Sequence, residues 1–198
     1  MATLNATNLK HASSGSNNIV LAADGSTTIS GNATCSGTAT GFGGGKILQV
    51  IQAYKQDTTS TTSSSFTDIS GMTVSITPSN ASNKVLVTAM FSATGYDVLH
   101  VALTTGDGTP IIQASGSGYN EKPAVAIYAG GNSSGESWYG NQMNTVVKLD
   151  SPNTTSAVTY KLRWRVNTGT GYLNRNNDMG SQYNNAVAST ITVMEVAA

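Results

Sequence analysis

The sequence predicts an all-β protein, an antiparallel β-sandwich or jelly roll preceded by a short N-terminal arm. Three observations lead to this prediction. Short runs rich in Val, Ile, Thr and Tyr alternate between apolar and polar residues, as strands with one buried face do. Gly, Pro, Asn or clustered Thr interrupts most stretches that are long enough to form a helix. Roughly nine or ten such runs follow one another without helical segments, and this spacing favours a sandwich.

The composition limits the classes of function. The 198-residue chain has ten basic and ten acidic residues and a net charge of zero, while Ser, Thr, Asn and Gly supply 90 residues. Zero net charge removes the attraction on which binding to nucleic acid or an anionic membrane depends. No apolar run approaches the roughly 18 residues of a membrane span, and the first residues do not open a secretory signal. We therefore expect a soluble, non-enzymatic β protein with no nucleic-acid partner and no membrane insertion.

Residues 1–44 are predicted to form an N-terminal attachment arm. Two strand-like runs flank Asp24-Gly25, a pair that suits a two-residue hairpin turn with positive φ. A lone hairpin is marginal in water, so we expect it to bind another copy of the chain or a larger assembly. The apolar residues Ile19, Val20 and Leu21 are the predicted attachment residues. The alternative is a loosely docked arm. From residue 31 onward the arm reads as a Gly-rich linker.

Residues 45–198 are predicted to form the sandwich domain, which is long enough to bury a full core. The clearest strand is 157–167, where Trp164 shares one face with other apolar residues and Lys161, Arg163 and Arg165 share the opposite face. Trp164 is therefore predicted to lie in the core. The other predicted strands are 46–56, 66–69, 72–77, 84–93, 98–104, 110–114, 123–129, 144–149 and 187–196, with a Thr/Ser loop at 58–65.

Reactive groups are few and scattered, so we predict no catalytic residues, no metal site and no cofactor. His100 lies within a strand pattern, and no nucleophile elbow accompanies it. The acidic residues stand singly in turns rather than as a pair facing a groove. The single Cys35 has neither Cys nor His nearby, which argues against zinc and against an internal disulfide.

Aromatic residues in Gly/Asn/Ser segments are the predicted binding residues. Aromatic rings among adaptable polar side chains provide contact area at low entropic cost, and they also suit sugars. The alternative is that these rings close the ends of the sandwich. The candidate binding residues are Tyr119, Trp138, Tyr139, Tyr172 and Tyr183.

Several segments resemble, in order, those of fibre-type virion structural proteins of tailed bacteriophages, particularly phages of cyanobacteria and other aquatic bacteria. The resemblance begins with Gly-Lys-Ile-Leu-Gln-Val-Ile-Gln-Ala at 45–53 and continues through 66–79 and 82–87. It resumes with Tyr-Lys-Leu-Arg-Trp at 160–164, at 172–175 and in the ending at 189–196. The segment 16–21 ahead of Asp24-Gly25 is similar to short segments that precede such domains.

This resemblance implies a homotrimer whose N-terminal region attaches to other virion proteins and whose C-terminal sandwich binds a host-surface glycan or protein. The implied location is the virion, with the tail favoured over the head. Because only about 45 residues precede the domain, a short tail fibre fits better than a long one. Two alternatives stay open: a head decoration or cement protein and, less favoured, a polysaccharide-degrading tail enzyme.

Overall fold

The computed structural model describes residues 6–30, 46–95, 97–113, 115, 123–128, 142–176 and 186–198. Within these residues all regular structure is β-strand, and every strand pairing is antiparallel, so the predicted all-β class is confirmed. The chain divides into two compact units, Met1–Gly44 and Gly45–Ala198.

The N-terminal unit contains a three-stranded sheet in the order β1 (Asn8–Leu9), β2 (Ile19–Leu21) and β3 (Thr27–Ile29). The predicted hairpin is confirmed as β2 and β3, but its turn is longer than predicted. The backbone N–H of Ala22 donates to Ser26 O at 2.9 Å, which leaves a three-residue loop. Gly25 ends that loop with φ of 84°, the left-handed position that a type I turn followed by a bulge requires.

The larger unit is a sandwich of two sheets. Its strands are β4 (Ile47–Lys55), β5 (Thr59–Thr61), β6 (Thr67–Ile76), β7 (Lys84–Gly95), β8 (Val98–Thr105), β9 (Val125–Tyr128), β10 (Gln142–Asp150), β11 (Val158–Val166), β12 (Gly171–Leu173) and β13 (Ser189–Val196). One sheet has the order β4-β13-β7-β12-β5, with β10 also paired to β7. The other sheet has the order β6-β11-β8-β9.

Strand β7 organises the first sheet. β13 and β10 pair with overlapping parts of β7, so they must lie on its opposite edges. β12 and β10 both pair with β7 at Ala93, so they too must lie on opposite edges of β7. β12 therefore lies on the same edge of β7 as β13, next to the C-terminal end of β7. The part of the sheet that includes β13 is therefore four strands wide, in the order β4-β13-β7-β10.

The core lies between the facing sides of the two sheets. Trp164 is only 2% exposed, and Tyr160, Leu162 and Val166 on the same side of β11 are also buried. The alternation in this strand therefore predicted its inner face correctly. From the opposite sheet, the alternate β7 residues, such as Val87 and Phe91, are fully buried. Burial of this apolar surface is the main stabilising contribution to the fold.

Three strand predictions need correction. The predicted strands 66–69 and 72–77 are one strand, β6, because Gly71 adopts a φ of 82° and lets the chain bulge without leaving the sheet. The predicted Thr/Ser loop contains β5, which gains its backbone partners from β12. In the described part of the predicted strand 110–114, which is residues 110–113, the only pairing is an isolated bridge between Pro110 and Thr104.

Candidate functional site

Of the five predicted aromatic binding residues, the structure describes only Tyr172. Tyr119, Trp138, Tyr139 and Tyr183 lie outside the described residues. Tyr172 belongs to strand β12 rather than to a loop, and it lies opposite Ser60 on one neighbour and Thr94 on the other. Its ring is half-buried in that position.

One face of the Tyr172 ring is covered by a cation. The guanidinium carbon of Arg175 lies 4.1 Å from the ring centroid, close enough for a cation–π interaction. Arg175 Nε also donates a hydrogen bond of 3.1 Å to Asn176 O. The ring is therefore held in place on that side by its own chain. The other guanidinium N–H groups are of the type that binds hydroxyl or carboxylate oxygens.

Asn174 holds the Tyr172–Arg175 segment against the sheet. This fully buried residue has a φ of 62°, a left-handed conformation that Asn tolerates better than most residues. Its Nδ2 donates to Lys55 O at 2.9 Å and to Asp57 O at 3.0 Å, and its Oδ1 accepts from Ser189 Oγ. Asn174 thus joins the end of β12 to the β4–β5 turn and to β13. Sequence reasoning missed this positioning role because its partners lie 15 to 119 residues away.

The predicted attachment residues divide between the two faces of the N-terminal sheet. Ile19 lies directly between Leu9 and Ile29 in the strand register, and Leu21 projects to the same side two residues along. Val20 projects to the opposite side. We call Leu9, Ile19, Leu21 and Ile29 the N-terminal apolar row. Its members Leu9, Leu21 and Ile29 are 40–41% exposed.

Two carboxyl groups with strongly lowered pKa values are held by hydrogen bonds within the fold. In the turn after β8, hydrogen bonds from Thr105 and Thr109 lower the pKa of Asp107 to about 2. Between β4 and β13, burial raises the pKa of Glu195, but hydrogen bonds from Asn83, Gln49 and Ser79 outweigh that effect and lower it to about 2. These carboxylates stabilise a turn and a strand end.

Within the described part of the chain, no three His, Cys, Asp or Glu side chains lie close enough together to hold a metal ion. The same residues contain no helix long and apolar enough to cross a membrane. Comparison of the sequence with known protein families finds no match, and comparison with curated proteins finds none either. The candidate functional features in the described residues are the Tyr172–Arg175 pair and the N-terminal apolar row.

Proposed function

We propose that this chain is a virion structural protein of a tailed bacteriophage, a short tail fibre. Residues 1–44 attach it to another virion protein, and residues 45–198 present the sandwich to a glycan or protein of the host surface. The chain acts as a homotrimer. The resemblance of its segments to phage fibre proteins supports this proposal, as do the low content of charged residues and the all-β fold.

The observation that carries the attachment role is the N-terminal apolar row. Three short strands make a sheet that buries little apolar surface of its own, and such small sheets need a partner to be stable in water. A protein surface that covers Leu9, Ile19 and Ile29 would supply that partner. The virion protein is the natural candidate because the row belongs to the arm that precedes the sandwich.

The host-binding role rests on the larger unit. Strand β12 and the residues that follow it hold Tyr172 and Arg175 together, so that an aromatic ring and a guanidinium are in contact. Saccharide hydroxyls and carboxylates accept hydrogen bonds from guanidinium groups, so this pair suits a surface glycan. Under the proposal, the other predicted binding residues, Tyr119, Trp138, Tyr139 and Tyr183, extend the same binding role.

The location is tested by gold-labelled antibody against residues 46–198 on intact particles. Label confined to the tail is the expected result. Label over the head would indicate a head decoration or cement protein instead of a tail fibre. Particles without label would contradict any role in the virion.

The attachment role is tested by two neighbouring substitutions in β3. Ile29→Asp places a charge in the apolar row, whereas Thr28→Asp places the same charge on the other face. We expect Ile29→Asp to reduce the number of copies per particle by roughly tenfold or more, because a buried unpaired carboxylate is costly. Thr28→Asp should leave the copy number unchanged. Equal copy numbers for the two variants, counted by quantitative mass spectrometry, would contradict attachment through this row.

A further inference from the structure

The outer side of the β4-β13-β7-β10 sheet is unusually apolar. The register aligns its outward residues in three rows across the four strands, and we call these twelve residues the outer apolar face. The rows are Tyr54–Thr190–Met90–Thr145, Gln52–Thr192–Thr88–Val147 and Val50–Met194–Leu86–Leu149. Seven of the twelve residues are apolar or aromatic, and none is charged.

The most exposed members of this face are large. Val50, Tyr54, Met90, Val147 and Leu149 are 45–58% exposed. Single exposed apolar residues are ordinary on soluble proteins, whereas a continuous apolar area indicates an interaction site. The row Val50–Met194–Leu86–Leu149 is apolar across all four strands, and Val147 adjoins Leu149 on β10, so these residues form such an area. Met143, opposite Ser92, lies on the same side one row beyond Met90.

Four of the five charged residues of these strands are turned away from the outer apolar face. Lys55, Lys148, Asp150 and Glu195 all occupy inward positions in the register. Asp150 confirms the direction, because its Oδ2 accepts a 2.7 Å hydrogen bond from Tyr160 of the opposite sheet. The remaining charged residue, Lys84, is on the outward side but lies at the end of β7, beyond the three rows.

We propose that the outer apolar face is the contact surface between copies of this chain. Its composition fits a second copy better than an unrelated partner, because interfaces between identical subunits are more apolar than other interfaces. A charged face that meets its own copy around a symmetry axis brings like charges together, which costs several kcal/mol. The three rows avoid this cost because they contain no charge.

The size of the face also fits a specific contact. Each of the four strands has at least eight residues. The three rows take up five residues of each strand, so the face covers about 19 by 17 Å, or roughly 300 Å² of flat area. The side chains that stand on this area raise its accessible surface toward the about 800 Å² that each partner buries in a standard interface.

Strand β4 gives a further indication at the edge of the same face. Among the described residues it pairs only with β13, so its other edge has no strand partner within that part of the chain. Ile51 occupies an inward position but is 37% exposed, and Leu48, at the register irregularity near the start of β4, is also exposed. An edge strand that is apolar on both sides is a liability in water unless another surface covers it. A second copy on the outer apolar face also reaches β4.

The test is the molar mass of the full chain in solution, measured by sedimentation velocity over a range of concentrations. We expect an oligomer that persists in high salt, because apolar contacts are not screened by ions. A chain that stays monomeric at every concentration overturns the proposal, and so does an oligomer that dissociates in high salt. This inference deepens the proposed homotrimer but is tested without particles, so either proposal can fail while the other stands.

Substitutions on the two sides of the sandwich locate the contact. The double variant Val50→Glu/Val147→Glu should weaken self-association by roughly 100-fold or more, since each copy then buries unpaired charges. The control is Thr73→Glu in the opposite sheet of the sandwich. Thr73 is an exposed residue of β6, and it pairs with Lys161 of β11 in that same sheet. It should associate like the unmodified chain. Equal weakening by both, or by neither, overturns the proposal.

A milder variant guards against misfolding. Val50→Thr/Val147→Thr keeps the β-branched shape that strands favour and removes two methyl groups from the contact. It should keep the circular-dichroism spectrum and melt as a folded protein, while its dissociation constant rises by roughly tenfold. An unchanged dissociation constant in this folded variant overturns the proposal.

A deletion variant distinguishes a second copy from the chain's own N-terminal unit. If copies meet through the sandwich, deletion of residues 1–30 leaves the oligomer intact. If the deletion converts a monomeric full chain into an oligomer, the N-terminal unit covers the face, and the proposal is wrong.

Discussion

The two outer sides of the sandwich differ in where their charges lie. On the β11 side, Lys161 and Arg163 project outward and form ion pairs of 2.8 and 3.0 Å with Asp68 of the neighbouring strand. On the β7 side, the outward rows are free of charge, and the charged side chains of those strands point inward or lie at a strand end. Both sides cover the same core.

The difference shows on which outer side the exposed side chains already have interaction partners within one chain. The outward cations of β11 find their partners in the same chain: Arg163 also donates to Phe66 O, and Arg165 donates to Ser64 O and to Asn167. The outer apolar face leaves large apolar side chains in water, where burial by a partner is favourable. The charged side is therefore suited to face solvent, and the apolar side is suited to a contact.

The largest expected effect comes from the core that both sides share. Trp164→Ala should reduce the free energy of unfolding by about 3–5 kcal/mol, because it leaves a cavity behind the charged strand β11. Both outer sides should be lost together in a single transition. The check is thermal unfolding followed by circular dichroism, with Trp164→Phe as the milder control. A melting curve equal to that of the unmodified chain would refute the inward placement of Trp164.

The next effect concerns the inward charge of the apolar sheet. Glu195 is 1% exposed and accepts four hydrogen bonds of 2.6–2.7 Å, from Gln49, Asn83 and both the N–H and the hydroxyl of Ser79. Glu195→Gln should cost about 2–3 kcal/mol at neutral pH, because it weakens charge-assisted bonds and brings an amide N–H₂ toward other donors. Urea unfolding measures this loss. A loss below about 1 kcal/mol in the free energy of unfolding, as for an exposed ion pair, would contradict a stabilising role of the buried carboxylate.

The stability that Glu195 contributes should depend on pH. The pKa of Glu195 is about 2 in the folded chain, against an ordinary value of 4.5. A lowered folded pKa means that the stabilisation is complete above the ordinary value and is lost as the pH falls toward about 2. The difference in stability between the unmodified chain and Glu195→Gln should therefore shrink over that interval. A difference that stays constant would contradict the assigned hydrogen bonds.

The smallest effect is expected on the charged outer side. A hydrogen bond from Lys161 lowers the pKa of Asp68, yet this carboxylate is half exposed. Asp68→Asn should therefore reduce the free energy of unfolding by less than about 1 kcal/mol, and the loss should shrink further in salt. Urea unfolding at low and high ionic strength measures both. A loss as large as that of Glu195→Gln would remove the contrast between inward and outward charges.

Where one side of a strand is apolar and the other charged, the sequence was sufficient. In β11, Leu162 and Trp164 alternate with Lys161 and Arg163, so the inner side follows from the period of two. The N-terminal hairpin was equally readable, because two short β runs flank Asp24-Gly25. In that hairpin only the length of the turn needed correction.

Where both sides of a strand are apolar, the sequence was not sufficient. In β7, the inward Val87 and the outward Leu86 are chemically alike, so alternation does not tell which side meets the core. For the candidate binding site, too, the sequence alone was not sufficient. Tyr172 was readable as an aromatic residue near Gly and Asn, but its place in β12 and its contact with Arg175 depend on β5 and β7.

The sequence by itself determined the β class, the N-terminal hairpin and the inner side of the strand that contains Trp164, because these follow from local periodicity and turn residues. Only the tertiary structure decided that β10 and β13 lie on opposite edges of β7 and that apolar residues cover their common outer side. It also decided that Glu195 is buried among donors as distant in the chain as Gln49. Those features depend on pairings between segments that are distant in the chain. Where both sides of a strand are apolar, the local sequence pattern does not predict such pairings.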